Sequence, residues 1–242
     1  MFAMAEDEAK SFFFHNGHLV KSAFMAGKTR DKILNAALQL FNEQGERVVT
    51  TNHIASHIGI SPGNLYYHFR NKEAIILALF EDFQQTLIEE IVLPAGKGIT
   101  LEDKQQYLEA LLAGMWQYRF IFRDLHGAVA RSEELRTMYQ GFARLCISMI
   151  VQVFKGLVTS GLMKASDEEI EALALNTFMV LTSWHELVHG VLHSEKGEPS
   201  RVMLNRVIYQ VLIIDRGFIT PEAMDSFKAL EQTYFSPLLS IC

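Results

Sequence analysis

The stretch that most constrains this chain is TTNHIASHIGISPGNLYYHFRNKEA, residues 50–74. Its pattern predicts two short helices with a tight turn between them, followed at once by a third helix. Thr51 is the expected cap of the first helix, and Gly59 is its expected end, where a residue with positive φ is favoured. Ser61 and Pro62 are a typical helix start, because the serine oxygen accepts free amides and proline needs no N–H there.

The second of these helices is too short to be stable alone, which indicates that its outer face is held against something. Leu65 and Phe69 face the core of the small unit, and this turns Asn64, Tyr67 and His68 outward. Two helices joined by a glycine turn, with polar and aromatic residues exposed on the second, are typical of a DNA-reading helix-turn-helix. A generic helix hairpin inside an all-α protein is the alternative interpretation of the bare pattern.

Specific residues favour the DNA reader. The stretch resembles the DNA-binding signature of the tetracycline-repressor (TetR) family, and KTRDKILNAALQLFNEQG, residues 28–45, resembles that family's first helix. The resemblance is strong over roughly residues 25–75 and architectural beyond them. The residues that carry it are Thr51, Ile54-Ala55, Gly59-Ile60-Ser61, Gly63-Asn64-Leu65-Tyr66-Tyr67-His68-Phe69 and Asn71-Lys72-Glu73.

The resemblance implies an all-α fold. An N-terminal three-helix helix-turn-helix unit is joined by a long helix to a helical ligand-binding and dimerisation domain. The predicted boundaries are residues 1–24 for an N-terminal extension, 25–72 for the DNA-binding domain and 73–242 for the effector-binding and dimerisation domain. Residues 1–24 carry acidic residues ahead of FFF, whereas a signal peptide has basic residues there. We therefore expect either a start codon assigned too far upstream or a loosely attached arm.

The resemblance also implies how the unit reads DNA. The second helix of the motif enters the major groove, with Asn64 and the backbone of Pro62 and Gly63 close to base edges. Asn52 is a further candidate for a base contact, and Ser61 caps the reading helix. Phosphate contacts are assigned to Thr51, Tyr66, Tyr67, His68 and Lys72.

Charge is distributed unevenly along the chain. The whole chain carries −6, but residues 18–72 contain seven Lys or Arg and three Asp or Glu, a balance of +4 that leaves −10 for the remainder. A basic end on an acidic body is typical of a protein that presents one surface to phosphate. Chance clustering on a solvated face is the alternative.

The composition indicates a folded protein of a reducing compartment. Apolar residues make up 49% of the chain, enough for a core, and the only cysteines are Cys146 and Cys242. Two cysteines exclude a disulfide framework and favour the cytoplasm. No uninterrupted apolar run approaches the ~18 residues that a membrane span needs, so no membrane partner is expected.

The rest of the chain has only helical patterns. We see no strand pattern and no glycine-rich phosphate loop, and this disfavours nucleotide chemistry; we expect no cofactor. The predicted helices cover about 72–93, 100–118, 132–160, 166–193, 200–216 and 220–234, with a break near 123–127.

Two helical stretches, residues 173–192 and 202–214, are apolar on more than one face. Such helices bury a second apolar stripe, against another subunit or against the rest of their own subunit. The family resemblance implies a two-fold homodimer formed through the helices near 167–193 and 200–216. Burial inside one subunit is the alternative.

An aromatic stretch suggests an effector site. MWQYRFIFRDL, residues 115–125, places large aromatics beside two guanidiniums. It looks like a stretch in the body domain of one TetR subgroup. A pocket here is expected to hold a small hydrophobic or anionic effector, with Arg119 or Arg123 pairing with its head. The alternative is that the aromatics are core and the arginines pair with neighbouring acids. The candidate effector residues are Trp116, Arg119, Phe122, Arg123, Tyr139, Phe142 and Met149.

One motif points to a different class of protein. The sequence contains an H-E-x-x-H motif, His185-Glu186-Leu187-Val188-His189. In zinc hydrolases the two histidines of this motif bind the metal and the glutamate acts as general base. His193 adds a third histidine. The continuation typical of such enzymes is missing. A helical metal-binding protein or zinc hydrolase is therefore the alternative function, and ordinary interface histidines are the simplest explanation.

Together these features predict a regulator rather than an enzyme. The chain is expected to be a homodimeric transcriptional repressor of the cytoplasm that binds a palindromic site in double-stranded DNA. A small-molecule effector bound in the body is expected to change the tilt of the long helix after the motif and so release the DNA.

Overall fold

The computed structural model describes residues 29–91, 98–187 and 201–235, and this part of the chain is almost entirely helical. Its only extended pairing is one isolated bridge between Met163 and Ile219. The predicted all-α class is confirmed. The helices are α1 (Thr29–Gln44), α2 (Thr51–His57), α3 (Pro62–His68), α4 (Lys72–Glu90), α5 (Leu101–Gln117), α6 (Arg119–Arg123), α7 (Leu125–Arg131), α8 (Glu133–Thr159), α9 (Asp167–Leu187), α10 (Arg201–Asp215) and α11 (Met224–Tyr234).

Most helix ends lie where the local chemistry predicts them. Gly59 and Gly161 adopt φ of 69° and 70° just after α2 and α8. Ser166 and Glu169 form reciprocal hydrogen bonds of 3.2 and 2.7 Å at the start of α9. The predicted helix ends at 93 and 193 fall within residues 92–97 and 188–200, which lie outside the described residues. Helix α4 is helical to Glu90.

The cap of α2 corrects the predicted one. Thr50, not Thr51, is the N-cap: its side chain accepts the His53 N–H at 3.2 Å. The Thr50 N–H in turn donates to His53 Nδ1 at 3.4 Å, which completes a capping box. Histidine takes the place of the usual Glu or Gln, so the pattern was not evident in the sequence.

The start of α11 is also later than predicted. The helix begins at Met224, whereas Thr220 and Pro221 belong to a preceding turn. The Thr220 hydroxyl donates to the Gly161 carbonyl at 2.9 Å, and its N–H donates to the Leu162 carbonyl at 3.1 Å. Thr220 therefore contacts the end of α8 instead of capping α11.

The described residues form two compact units. The head unit contains residues 29–90 and 114–140, and the body unit contains residues 91, 98–113, 141–187 and 201–235. The predicted boundaries at 25–72 and 73–242 divide the chain by function rather than by packing and stay a prediction, as does the role of residues 1–24, which lie outside the described part.

The core of the head unit forms around α1, which packs on α2, α3, α4 and α6. Ile33, Ala37 and Phe41 are fully buried on one face of α1, as the helical spacing predicts. Ile54 of α2 and Leu65 of α3 are buried as well. The two short helices are thus held by α1 rather than by their own stability.

One buried side chain joins α1 to the break between α5 and α6. Asn42 is 8% exposed, and its amide nitrogen donates to the Gln117 carbonyl at 2.8 Å. Its carbonyl oxygen accepts the Phe120 N–H at 3.1 Å. Asn42 therefore satisfies a donor and an acceptor that the chain loses where α5 stops at Gln117. The rings of Phe41 and Phe120 pack beside it, with centroids 5.2 Å apart.

In the body unit α10 packs on α9 and α11. Val207, Ile208, Val211 and Leu212 of α10 are all buried within the single chain. Asp215 is also fully buried and pairs with Lys104 of α5. Burial raises the pKa of Asp215, and the adjacent Lys104 ammonium opposes that shift.

One helix is long and apolar enough to cross a membrane by length and composition alone. It is α8, where an 18-residue window has a mean hydropathy of 1.5 and one third of the window is buried in the structure. No membrane span was predicted at α8 from the sequence, because only uninterrupted apolar runs were considered. Core helices of soluble proteins pass the same test, so the finding is weak evidence for a membrane span.

The Asn42 contact gives a direct test. Asn42→Ala leaves the Gln117 carbonyl and the Phe120 N–H without partners in a buried site, so we expect it to lower the free energy of unfolding by about 2–3 kcal/mol. Asn35→Ala is the matched control, because Asn35 is exposed on the same helix and alanine is the better helix former. Urea unfolding of both variants measures the difference, and equal midpoints would contradict the role of Asn42.

Candidate nucleic-acid interface and charged cavity

The helix-turn-helix is built around α3, which is seven residues long. Ser61 caps it by accepting the Asn64 N–H at 3.2 Å, and Pro62 occupies its first position. Leu65 and Phe69 point into the head core and are 0% and 5% exposed. The opposite face, with Asn64 and Tyr67, is open to solvent, as the sequence predicts.

Two tyrosines on α3 have different surroundings. Tyr67 is 85% exposed, and its ring meets the His68 ring edge to face at 5.2 Å. Tyr66 is 49% exposed, and its hydroxyl lies 3.0 Å from the Thr51 hydroxyl. This bond joins the first residue of α2 to α3. Thr51 is available for it because Thr50 supplies the cap.

All ten predicted DNA-binding residues lie in the head unit. Three of them, Thr51, His68 and Lys72, are half-buried. The seven exposed ones are Asn52, Ser61, Pro62, Gly63, Asn64, Tyr66 and Tyr67. Their contacts with DNA stay a prediction.

Lys72 is held by Glu46 in this structure. Its ammonium lies 2.9 Å from Glu46 Oε1 and donates to the Glu46 carbonyl at 2.8 Å. Lys72 opens α4, and Asn71 caps the same helix by accepting the Ala74 N–H at 2.8 Å. The Lys72 ammonium therefore contacts both a carboxylate oxygen and the backbone oxygen of Glu46.

Glu46 belongs to an ion-pair network that the sequence did not reveal. Arg131 of α7 pairs with Glu46 at 3.2 Å and with Asp124 at 3.4 Å. Asp124 also pairs with Arg47 at 2.6 Å. These ion pairs thus link the turn after α1, the start of α4 and the α6–α7 segment, in the order Lys72–Glu46–Arg131–Asp124–Arg47. Partners this far apart in sequence give no local signal.

Gly127 makes room for part of this network. A Cβ at Gly127 would lie 2.5 Å from Asp124 Oδ1 and 2.8 Å from Arg131 Nη1. Such distances are shorter than van der Waals contact, so any larger residue would displace the pair. The glycine at position 127 is the sequence signal that could have indicated a close approach of Asp124 and Arg131 to the backbone here.

The network borders a cavity of about 500 Å³ within the head unit. Four cations and three acids line it: Arg47, Lys72, Arg123 and Arg131, with Glu46, Glu73 and Asp124. Most of the rest of the wall is apolar, formed by Val48, Ile76, Leu77, Phe120, Ile121, Ala128 and Leu135, and Gln44, Gly45 and Ser132 complete it. Its volume falls within the range of small-molecule sites. We call it the charged cavity.

Of the predicted effector residues in the head unit, only Arg123 lines the charged cavity. The Arg119 guanidinium lies over the Trp116 ring at 4.5 Å. Phe122 is buried edge-on against Phe83 at 5.6 Å, and Tyr139 lies 6.2 Å from Phe80. Phe122 thus occupies the core position that the alternative interpretation gave it.

The two remaining effector candidates belong to the body unit. Phe142 is buried there, and Met149 is half-buried. A neighbouring residue of the same helix, Cys146, is buried as well, and burial raises its pKa to about 12, so its thiol stays protonated. The effector assignments to Phe142 and Met149 stay predictions.

The H-E-x-x-H side chains cannot be placed. His189 and His193 lie outside the described residues, as do the side chains of His185 and Glu186. Among the side chains that the structure does describe, no group of three or more His, Cys, Asp or Glu is arranged to hold a metal ion. The zinc alternative therefore gains no support.

Two family models match the chain. Residues 33–79 match the family of bacterial regulatory proteins of the tetR type, which includes all of α2 and α3. Residues 82–227 match the TetR bacterial transcriptional repressor family, and this covers more than half of the chain. The chain belongs to the TetR family. Proteins of this family regulate transcription, bind DNA and act as dimers.

Curated TetR-family relatives match over about a quarter of the chain. The transcriptional regulator UidR of Escherichia coli strain K12 is 43% identical over 60 residues, 25% of this chain. The class D tetracycline repressor protein of Escherichia coli is 42% identical over 55 residues, 23% of this chain. The matched parts span 31% of UidR and 25% of the tetracycline repressor.

Solved TetR-family structures match over most of the chain. A TetR-family transcriptional regulator from Marinobacter aquaeolei VT8 is 38% identical with a TM-score of 0.80, over 87% of this chain and 100% of that one. The ketosteroid regulator KstR2 of Mycobacterium tuberculosis has a TM-score of 0.56 at 20% identity, over 81% of this chain and 97% of that one. At that identity the second match supports the fold alone.

The cap of the reading helix can be tested separately from DNA binding. Ser61→Ala removes the acceptor for the Asn64 N–H, and we expect it to cost about 1 kcal/mol of stability. Ser56→Ala is the control, because Ser56 is exposed inside α2 and alanine is the better helix former. Hydrogen exchange of the α3 amides should accelerate in the first variant and not in the second. Equal exchange rates would show that Ser61 does not stabilise α3.

Proposed function

We propose that this protein is a ligand-responsive transcriptional repressor that binds a palindromic operator as a homodimer and is released by a small effector. The observation that carries the proposal is the outward face of α3. Asn64 and Tyr67 stand exposed on a seven-residue helix whose other face is fixed in the head core. Membership of the TetR family supports the same function, which is regulatory rather than enzymatic and belongs in the cytoplasm with the DNA.

In this proposal α3 lies in the major groove. Asn64 and the backbone at Gly63 read base edges, while Thr51, Tyr66, Tyr67, His68 and Lys72 contact phosphates. The bond between Tyr66 and Thr51 supports this arrangement, because it orients two of the phosphate-contacting hydroxyls together. Sequence choice then comes from a few side chains, and affinity comes mainly from the phosphates.

The proposed homodimer uses the helices near 167–193 and 200–216. Leu175 and Met179 support the role of α9, because they lie one turn apart and are 49% and 47% exposed. The buried residues of α10 indicate that much of its apolar surface is used within one chain. Two subunits present their reading helices about 34 Å apart, which is one turn of DNA and explains the palindrome.

The effector acts through its different affinity for the DNA-bound and released forms. The effector residues proposed in the head unit are Trp116, Arg119, Phe122, Arg123 and Tyr139. Those proposed in the body unit are Phe142 and Met149. The stack of Arg119 on Trp116 supports a site that accepts aromatic or anionic molecules. Binding there favours a form in which the two reading helices no longer match the spacing of the duplex.

Selection of bound duplexes from a random DNA pool at about 0.15 M salt tests the proposal. We expect a palindrome to be enriched. Tyr67→Ala and Lys72→Ala should weaken binding to all sequences, whereas Asn64→Ala should relax the choice of base at its own position. Lys155→Ala is the control, because Lys155 is a cation of the body unit that pairs with Asp167. No enriched sequence would contradict the proposal.

Glu46 gives a second test with the opposite sign. Because Glu46 competes with phosphate for Lys72, Glu46→Gln should strengthen operator binding roughly two- to fivefold per subunit. Glu43→Gln removes the same charge from the exposed side of α1, where Glu43 bonds Gln39, and leaves Lys72 paired. Fluorescence anisotropy titrations compare the two. An equal gain in both variants would show that only net charge matters.

A further inference from the structure

The charged cavity has the composition of a binding site for an amphipathic molecule. Five large apolar side chains line it, Ile76, Leu77, Phe120, Ile121 and Leu135, so an apolar body can be buried there. Seven charged side chains line the same cavity, four cations and three acids. We infer that this cavity binds a small amphipathic anion, and that the ligand weakens DNA binding by drawing Arg131 away from Glu46. The inference rests on the proposed repressor function and names the site and the chemistry of its effector.

Arg123 gives the site its preference for an anion. Arg47, Lys72 and Arg131 each have a carboxylate partner at 2.6–3.4 Å. Arg123 lines the same cavity, and its side chain makes no hydrogen bond or ion pair with any residue that the structure describes. Its guanidinium is therefore available for a carboxylate, which it can hold with two parallel hydrogen bonds.

The balance of charge around the cavity agrees with this choice. The lining contains four cations and three acids, an excess of one positive charge. Glu73 is the one acid of the three without a cation partner in the described part of the chain, and it lies in the first turn of α4, where the helix dipole favours a negative charge. A singly charged anion completes the pairing of Arg123, whereas a cationic ligand beside Glu73 would be repelled by the four positive side chains of the lining.

The network supplies a route from the cavity to the DNA-binding surface. Arg131 and Lys72 share one carboxylate, with Arg131 on Glu46 Oε2 at 3.2 Å and Lys72 on Oε1 at 2.9 Å. The ligand anion attracts Arg131 as well as Arg123, because both line the cavity. Once Arg131 turns to the ligand, the charge of Glu46 is left to Lys72 alone. Lys72 is then held more tightly and is less available to a DNA phosphate.

Ligand exchange at this network requires little energy. Arg131, Asp124 and Lys72 have 47%, 35% and 29% of their side-chain surface exposed. Ion pairs with this exposure are weakened by water and salt, so a second anion can replace one partner. The same physics sets the direction of the effect, since any anion that takes Arg131 strengthens the remaining pair at Glu46.

Calorimetric titration of the full chain with octanoate tests the site, with octan-1-ol and octylamine as neutral and cationic probes of equal length. We expect octanoate to bind saturably with a Kd below about 1 mM, and the other two probes to bind more weakly. Arg123→Gln should weaken octanoate binding about tenfold, and Ala128→Phe, which fills the cavity from α7, should weaken it without a change of charge. Arg136→Gln is the control, because Arg136 pairs with Glu133 and does not line the cavity.

Several results would overturn the inference. They are an absence of octanoate binding, equal binding of the three probes, or an unchanged affinity in Arg123→Gln. Loss of binding in Arg119→Gln but not in Arg123→Gln would place the anion near Trp116 instead, and would overturn it too. None of these titrations contains DNA, so they test the cavity whether or not the protein proves to be a repressor.

Transmission is tested separately with the selected operator. Octanoate should lower the operator affinity of the unmodified protein, and Glu46→Gln should still bind octanoate yet lose most of that response. A full response in Glu46→Gln would overturn the proposed route. Operator binding that is absent from the start would contradict the repressor function, and the titrations would still decide the ligand site.

Discussion

The head unit depends on the contact between Asn42 and the break that follows α5. A helix that stops inside a protein leaves backbone groups without partners, and burial of those groups is costly unless a side chain bonds them. Asn42 bonds two of them, the Gln117 carbonyl and the Phe120 N–H. Because Asn42 lies on α1, and α1 holds α2 and α3, this contact fixes the reading helices to the α6–α7 segment.

That connection explains where the ion-pair network forms. With α6 fixed against α1, the α6–α7 segment places Asp124 and Arg131 near the turn after α1, where Glu46 and Arg47 lie. Lys72 and Arg131 share Glu46, so the proposed ligand site and the proposed phosphate contact of Lys72 depend on one carboxylate. Such linkage is reciprocal: if a ligand weakens DNA binding, DNA weakens the binding of that ligand by the same factor.

The body unit is organised differently. Its core contains a buried pair, Lys104 with Asp215, and the Lys104 ammonium lies 4.5 Å above the Phe154 ring. Buried charges are tolerated only when they are paired, so the pair restricts how α5 and α10 can pack. Leu175 and Met179 leave part of α9 apolar and exposed, whereas the apolar face of α10 is largely used inside one chain. The family resemblance implied both helices as dimer elements, and periodicity alone does not distinguish an internal core from an interface.

The sequence by itself determined the helical class, most helix ends and the family. Those features depend on neighbours in the chain: Ser61 caps α3, Gly161 ends α8, and apolar residues recur at helical spacing. The prediction of the α2 cap was wrong by one residue. The capping box at Thr50 uses His53 in place of the usual Glu or Gln, so it was not recognised in the sequence. Only the tertiary structure decided that Asn42 is buried, that Phe122 is core while Arg123 lines a cavity, and that Lys72 shares Glu46 with Arg131. Each of these joins residues far apart in sequence, and the periodicity of a single helix contains no information about which distant partner will face it.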